Sequence, residues 1–270
     1  FSITPQPGWV GLNLREFWAY RELLYFLTWR DIKVRYKQTT LGAAWAVLQP
    51  VMTMAIFTIF FGRLAGIETR TGGVPYPLFV FSALLPWMFF ANAMTACGNS
   101  LVGSSSLVTK VYFPRLVIPL STVAAGLVDL AISFVVLLAL LAFYQVPPAW
   151  PWLLVPLFLA AVVLAACGMG MLLSALTVSY RDFRYVVPFL SQIWMFLTPV
   201  MYPGSIVPAR WQRLYYLNPM AGLIDGFRAV LLGQPPEWSH VLPSLIIAIL
   251  ILLAGAAYFH KVEGDFADVI

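Results

Sequence analysis

Long apolar stretches, separated by short polar or proline-rich connections, leave this chain few ways to fold. They run from about Leu41 to Phe61, Leu78 to Val102, Leu116 to Phe143, Trp152 to Thr177, Val186 to Met201 and Val241 to Phe259. A helix needs roughly 20 mostly apolar residues to cross about 30 Å of hydrocarbon, and five of the six meet that length. The fifth, with only 16 residues and bracketed by Pro188, Pro199 and Pro203, must recruit Tyr185 or earlier residues to cross. Hydrophobic residues are 61% of the 270 and charged residues 10%, far from a soluble globular composition. The expected fold is therefore an all-α integral membrane protein in a single domain, residues 1–270, with six transmembrane helices.

Charge sets the expected orientation. Arg30, Lys33, Arg35 and Lys37 crowd in front of the first stretch with one acid, Asp31. Lys and Arg number six before span one, two in each of the loops after spans two and four, and one in the tail, against two, none and three in the other loops. That is eleven against five, which places both termini in the cytoplasm. Residues Asn13 to Lys37 predict an interfacial amphipathic helix, with Phe17, Trp18, Leu23, Leu24, Phe26 and Leu27 apolar and Arg30, Lys33 and Lys37 on one face. Such a helix is either an anchor on anionic headgroups or a guard at a cytoplasmic entrance. Phe1 is not followed by a charged leader and cleavage site, so no secretory signal is expected.

Two connections carry structure of their own. In residues 103–115, Ser104 is a candidate N-cap, and Leu107, Val108, Val111 and Tyr112 repeat at helical spacing before Pro114. This short cytoplasmic helix must bury its stripe on the bilayer or on a partner protein. After span five, Pro208 to Leu217 predicts one short helix. Asn218 and Pro219 open a second, which ends at Gly233 with Met220, Leu223, Ile224, Phe227 and Leu231 on one face. Half-helices over 202–233 predict a re-entrant element on the outer side.

Chemistry-bearing motifs are few. No P-loop spacing occurs, so nucleotide must be bound by another chain. No H-E-x-x-H or paired-cysteine motif occurs, and no metal site, catalytic residue or nucleic-acid partner is expected. Cys97 and Cys167 lie inside apolar stretches, where no disulfide is expected. Asp129 is the only acid well inside a span, about 20 Å along the third. An unpaired charge there costs about 2.5 to 3.5 kcal/mol, so Asp129 should bond to a neighbouring helix or serve transport. Asn92, Thr95 and Asn99 form a polar stripe that either joins helices or walls a hydrophilic conduit. Trp87, Phe89, Phe90, Trp194, Phe196 and Tyr202 could stack on sugars along that wall or form the ordinary aromatic belt. Arg210 and Arg213, beside Tyr215 and Tyr216, could recognise phosphate or anchor at outer headgroups.

Taken together, these pieces resemble the membrane subunit of ABC-2-type polysaccharide exporters, the family that moves O-antigen, capsule or teichoic acid polymers. The resemblance runs nearly end to end. It rests on Thr28 to Pro50 (TWRDIKVRYKQTTLGAAWAVLQP), Lys110 to Pro119 (KVYFPRLVIP), Tyr180 to Tyr185 (YRDFRY), Thr198 to Pro203 (TPVMYP), Asn218-Pro219-Met220 and Phe266 to Ile270 (FADVI). It implies a homodimer in the bacterial inner membrane with a channel at its interface, driven by two copies of a cytoplasmic ABC ATPase that carry the ATP and Mg. It also implies a gate helix at about Asn13 to Arg30, whose basic continuation Arg30, Lys33, Arg35 and Lys37 meets an undecaprenyl-pyrophosphate-linked polysaccharide. The coupling helix falls on about Ser104 to Phe113, with Leu107, Val108, Lys110, Val111, Tyr112, Phe113 and Arg115 as candidate ATPase contacts. Arg181 and Asp182 lie in the second cytoplasmic loop, and Tyr202 to Gly233 form the outer gate. A drug or lipid permease shares this topology. An intramembrane enzyme would need several convergent acids or histidines, and a pure scaffold would not need broken half-helices.

Overall fold

The computed structural model describes residues 18–37 and 44–266. The first part of the expected gate helix, the Gln38 to Gly42 stretch and the last residues of the tail lie outside them. Among the described residues every regular element is helical. In chain order they are α1 (Arg21–Lys37), α2 (Ala44–Phe57), α3 (Tyr76–Gly103), α4 (Ser105–Lys110), α5 (Val117–Phe143), α6 (Val155–Ser179), α7 (Phe183–Phe196), α8 (Ala209–Tyr215), α9 (Pro219–Leu231) and α10 (Trp238–Val262). A π-helical turn, Thr58–Leu64, extends α2, and a 3₁₀ turn, Trp150–Leu154, precedes α6.

Five helices are long and apolar enough to cross a bilayer: Ala44–Leu64, Tyr76–Gly103, Val117–Phe143, Trp150–Ser179 and Trp238–Val262. The fifth expected span differs. α7 begins at Phe183, before the apolar run, but stops at Phe196 after 14 residues, about 21 Å of helix. The cause is local: Pro199 donates no N–H, and a turn over Leu197–Val200 follows. Met201 is nevertheless carried as far as the start of α3, where its carbonyl accepts from the Tyr76 hydroxyl at 2.7 Å.

Burial explains the arrangement. α3 is the central helix, buried along most of its length and packed on α5, α6, α7 and α9. α2 packs Val51, Met54 and Phe57 against the core and leaves an apolar flank with Trp45, Leu48, Met52 and Ile56 exposed, which faces lipid or another chain. The α6–α10 pair crosses at backbone distance: a Cβ on Gly168 would stand 2.5 Å from Leu252 Cα, and one on Gly255 would stand 2.2 Å from the Gly168 carbonyl oxygen. Only glycine permits that approach, the device by which apolar helices associate where no hydrophobic force distinguishes partner from lipid.

α1 is joined to the bundle. It packs along α5, with Leu27 in one apolar cluster with Leu101, Val117, Met171 and Phe259, while Trp18, Tyr25 and Phe26 face outward. Its C-terminal residues reach Asp129, which lies 12 positions, about 18 Å, along α5.

Candidate functional site

The end of α1, with α2, α3 and α5, encloses a cavity of about 520 Å³. Its polar lining comes from four separate helices: Arg35 and Tyr36 from α1, Gln49 from α2, Asn92, Thr95 and Asn99 from α3, and Asp129 and Ser133 from α5. The α3 stripe therefore supplies polar positions, recurring on one face at three and four residues, to a cleft also lined by apolar side chains. Thr95 Oγ1 donates to the Ala91 carbonyl at 2.9 Å, and Asn99 Nδ2 donates to the Thr95 carbonyl at 3.0 Å. Asn99 Oδ1 is buried and accepts no hydrogen bond among the described residues.

Asp129 is satisfied by α1. The Arg35 guanidinium donates to its Oδ2 and the Tyr36 hydroxyl to its Oδ1. Burial and the neighbouring carboxylate raise the Tyr36 phenol well above its ordinary range, so it stays protonated and donates. The membrane cost of one carboxylate is thus met by two donors 93 and 94 residues away in the chain. The other basic residues are arranged differently. Arg30 pairs with Asp31 at 2.9 Å, Lys33 lies over the Trp29 ring at 5.4 Å, and Lys33 and Lys37 are exposed.

The aromatic candidates divide. Phe89 lines the cleft. Trp87 and Phe90 are buried in the core and pack edge-on against Trp194, so these three rings hold α3 to α7 instead of walling the cleft. Phe196 is exposed, and its carbonyl accepts from the Tyr202 hydroxyl at 2.9 Å.

The α4 region is two-sided. Ser104 stands at the N-cap position but its hydroxyl makes no capping bond; its carbonyl accepts from Leu107 N–H at 2.9 Å. Val108 and Phe113 are buried in the protein's own core and Leu107 is half-buried against it, so the expected continuous outward stripe is not formed. Lys110, Val111 and Tyr112 are displayed. Arg115 donates to the Gly264 carbonyl at 3.4 Å, joining this loop to the tail. Arg181 and Asp182 are exposed.

α8 and α9 form as the turn chemistry requires. The Asn218 side chain occupies all its bonding positions: Oδ1 accepts from Met220 N–H at 3.0 Å and Trp194 Nε1 at 2.9 Å, while Nδ2 donates to the Leu197 carbonyl and Thr198 Oγ1. Gly233 ends the element with φ 75°. On α8, Arg210 and Arg213 are exposed and Tyr215 is half-buried, its hydroxyl 3.4 Å from that of Tyr202. Tyr216 is buried and donates to Asp225 at 2.9 Å.

Asp225 and Arg228 were not among the sequence candidates. Arg228 is 4% exposed, pairs with Asp225 at 3.0 Å, donates to the carbonyls of Phe79, Pro199 and Val200, and stacks 3.8 Å from the Phe79 ring. It ties α9 to α3 and to the turn that ends α7. The available signal was an acid and a base three residues apart inside an otherwise apolar helix. Among the described residues no group of three or more His, Cys, Asp or Glu is placed to hold a metal.

Helices of spanning length make this a membrane protein, and residues 22–232 match the model of the ABC-2 type transporter, so the chain belongs to that family. The family is one of transporter permeases, and this chain is a multi-pass membrane protein of that kind. Over 260 residues it is 29% identical to the O-antigen export system permease protein RfbA of Myxococcus xanthus, covering 95% of this chain and 98% of that one. Over 250 residues it is 26% identical to the RfbA permease of Klebsiella pneumoniae, covering 92% and 95%. It is also 21% identical over 240 residues to the polysialic acid transport protein KpsM of Escherichia coli, covering 87% and 91%. The chain is thus an ABC-2 permease homologous to O-antigen export permeases.

Proposed function

We propose that this chain is the transmembrane subunit of an ATP-driven exporter that moves a lipid-linked polysaccharide of O-antigen type across a bacterial inner membrane. The observation that carries the proposal is the polar cleft among α1, α2, α3 and α5, a route for hydroxyl-rich sugar through an apolar bundle. The names of the relatives, two of O-antigen export and one of polysialic acid transport, support a polymer as cargo.

The cleft opens beside α2, whose exposed apolar flank suits a second copy of the chain, so the conduit closes at a homodimer interface. α7 with its following turn serves as a sixth span, supported by the Tyr76–Met201 bond at the far end of the bundle. Six spans and the excess of basic residues at one end support a topology with both termini in the cytoplasm. There Lys33 and Lys37, with Arg30 and Arg35, meet the diphosphate of the carrier lipid, since cations of this kind bind phosphate by charge-assisted hydrogen bonds. ATP and Mg belong to two partner ATPase subunits, which dock on Lys110, Val111 and Tyr112 and on the loop carrying Arg181 and Asp182. α8 and α9 form the outer gate.

The test is complementation of a strain lacking the chain. Restored surface polysaccharide that depends on the partner's ATP hydrolysis is the expected result. Restored resistance to hydrophobic cations without polysaccharide would point to a drug permease instead.

A further inference from the structure

Among the described residues, the Arg228–Asp225 and Arg35–Asp129 pairs differ in character. Arg228 and Asp225 are 5% and 21% exposed at their side chains, and three carbonyls fix the guanidinium as well. Such a pair is built to stay, because removing either partner strands a buried charge. Arg35 and Asp129 are 39% and 27% exposed, and both line the cleft. An ion pair open to the cleft is held less firmly than a buried one fixed by several partners, so an incoming anion can compete with the carboxylate for the guanidinium.

We infer that Asp129 is the resident anion of the cleft, holding Arg35 until the diphosphate of the substrate takes its place. The inference rests on the proposed function above. The guanidinium fork bonds carboxylate and phosphate in the same two-pronged geometry, so the exchange keeps the directional bonds. A diphosphate also brings more charge than one carboxylate, so it competes for the guanidinium with the stronger field. Asp129 on release retains the Tyr36 hydroxyl as a donor, so its carboxylate is not abandoned in the bundle. One of the two polar bonds from α1 to Asp129 is then given up only when an anion dense enough to compete arrives, which makes Asp129 a specificity residue for the carrier headgroup.

Binding of a fluorescent polyprenyl diphosphate to the transporter complex in nanodiscs tests this. Competition predicts opposite signs: Asp129→Asn tightens binding by about three- to tenfold, whereas Arg35→Gln weakens it by a similar factor, each corresponding to about 1 kcal/mol. Asp129→Ser gives the same readout should the amide variant not fold. A pair that only braces α1 against α5 predicts the same sign for both variants, and that result would overturn the inference. No effect of either variant, with Arg30→Gln and Lys33→Gln still weakening the probe, would overturn it while leaving the proposed function in place. A probe that does not bind the unaltered complex would remove both. Displacement by inorganic pyrophosphate supports recognition of the diphosphate, and equal displacement by phosphatidylglycerol would show a general lipid-headgroup site and overturn the assignment.

Discussion

At the scale of single residues, Arg228 and Asn218 hold the outer element in place. Arg228 serves three carbonyls, one carboxylate and one ring, so no other residue type reproduces its contacts. Arg228→Met should cost about 3 to 5 kcal/mol by leaving Asp225 and those carbonyls unpaired, read as a lowered melting temperature of the purified complex. Asn218→Ala removes a helix cap and the Trp194 acceptor together and should cost about 2 kcal/mol, checked in the same melt. A melting temperature unchanged in either variant would contradict these roles. Asn218 was legible beforehand because Asn-Pro is a helix-opening pair with a local cause. Arg228 was not, because its partners Phe79, Pro199 and Val200 are far away in the chain, and an amphipathic pattern for α9 implied one buried face where the structure buries nearly all of it.

At the scale of elements, close approach and two-sided packing decide the outcome of mutation. Gly168→Leu would drive a side chain into the α10 backbone at Leu252, an overpacking cost of about 1 to 3 kcal/mol or more, and should lower the yield of folded protein in membranes. The α4 region makes a finer prediction. Val111→Asp with Tyr112→Asp should abolish ATP-dependent export while membrane insertion and folding persist, because both side chains are exposed. Val108→Asp should instead destabilise the fold, since Val108 is packed within it. Comparing melting temperature with export activity separates the two, and normal export by the Val111, Tyr112 pair would remove this surface from coupling. The short helix itself was readable from its spacing. Which of its apolar residues turn inward was not, because that choice is made by Leu101, Val117 and Phe259 on other helices.

At the scale of the whole molecule, hydropathy alone located the five helices of spanning length to within a few residues, since the bilayer imposes length on each segment separately, while the expected fifth span is the shorter α7. The position of α1 required tertiary information. Asp129 needs donors, and only the folded chain shows that they come from Arg35 and Tyr36. That connection turns a basic segment into one wall of a cleft and joins it to the Asn92, Thr95 and Asn99 stripe. The central claim is that polysaccharide travels through this cleft. Its most direct test places a photoreactive side chain at Asn92 or Asn99 and, as a lipid-facing comparison, at the exposed Val135 of α5. During ATP turnover the account predicts crosslinks to polysaccharide from positions 92 and 99 and to phospholipid from position 135. Crosslinks to phospholipid alone at all three positions would contradict it.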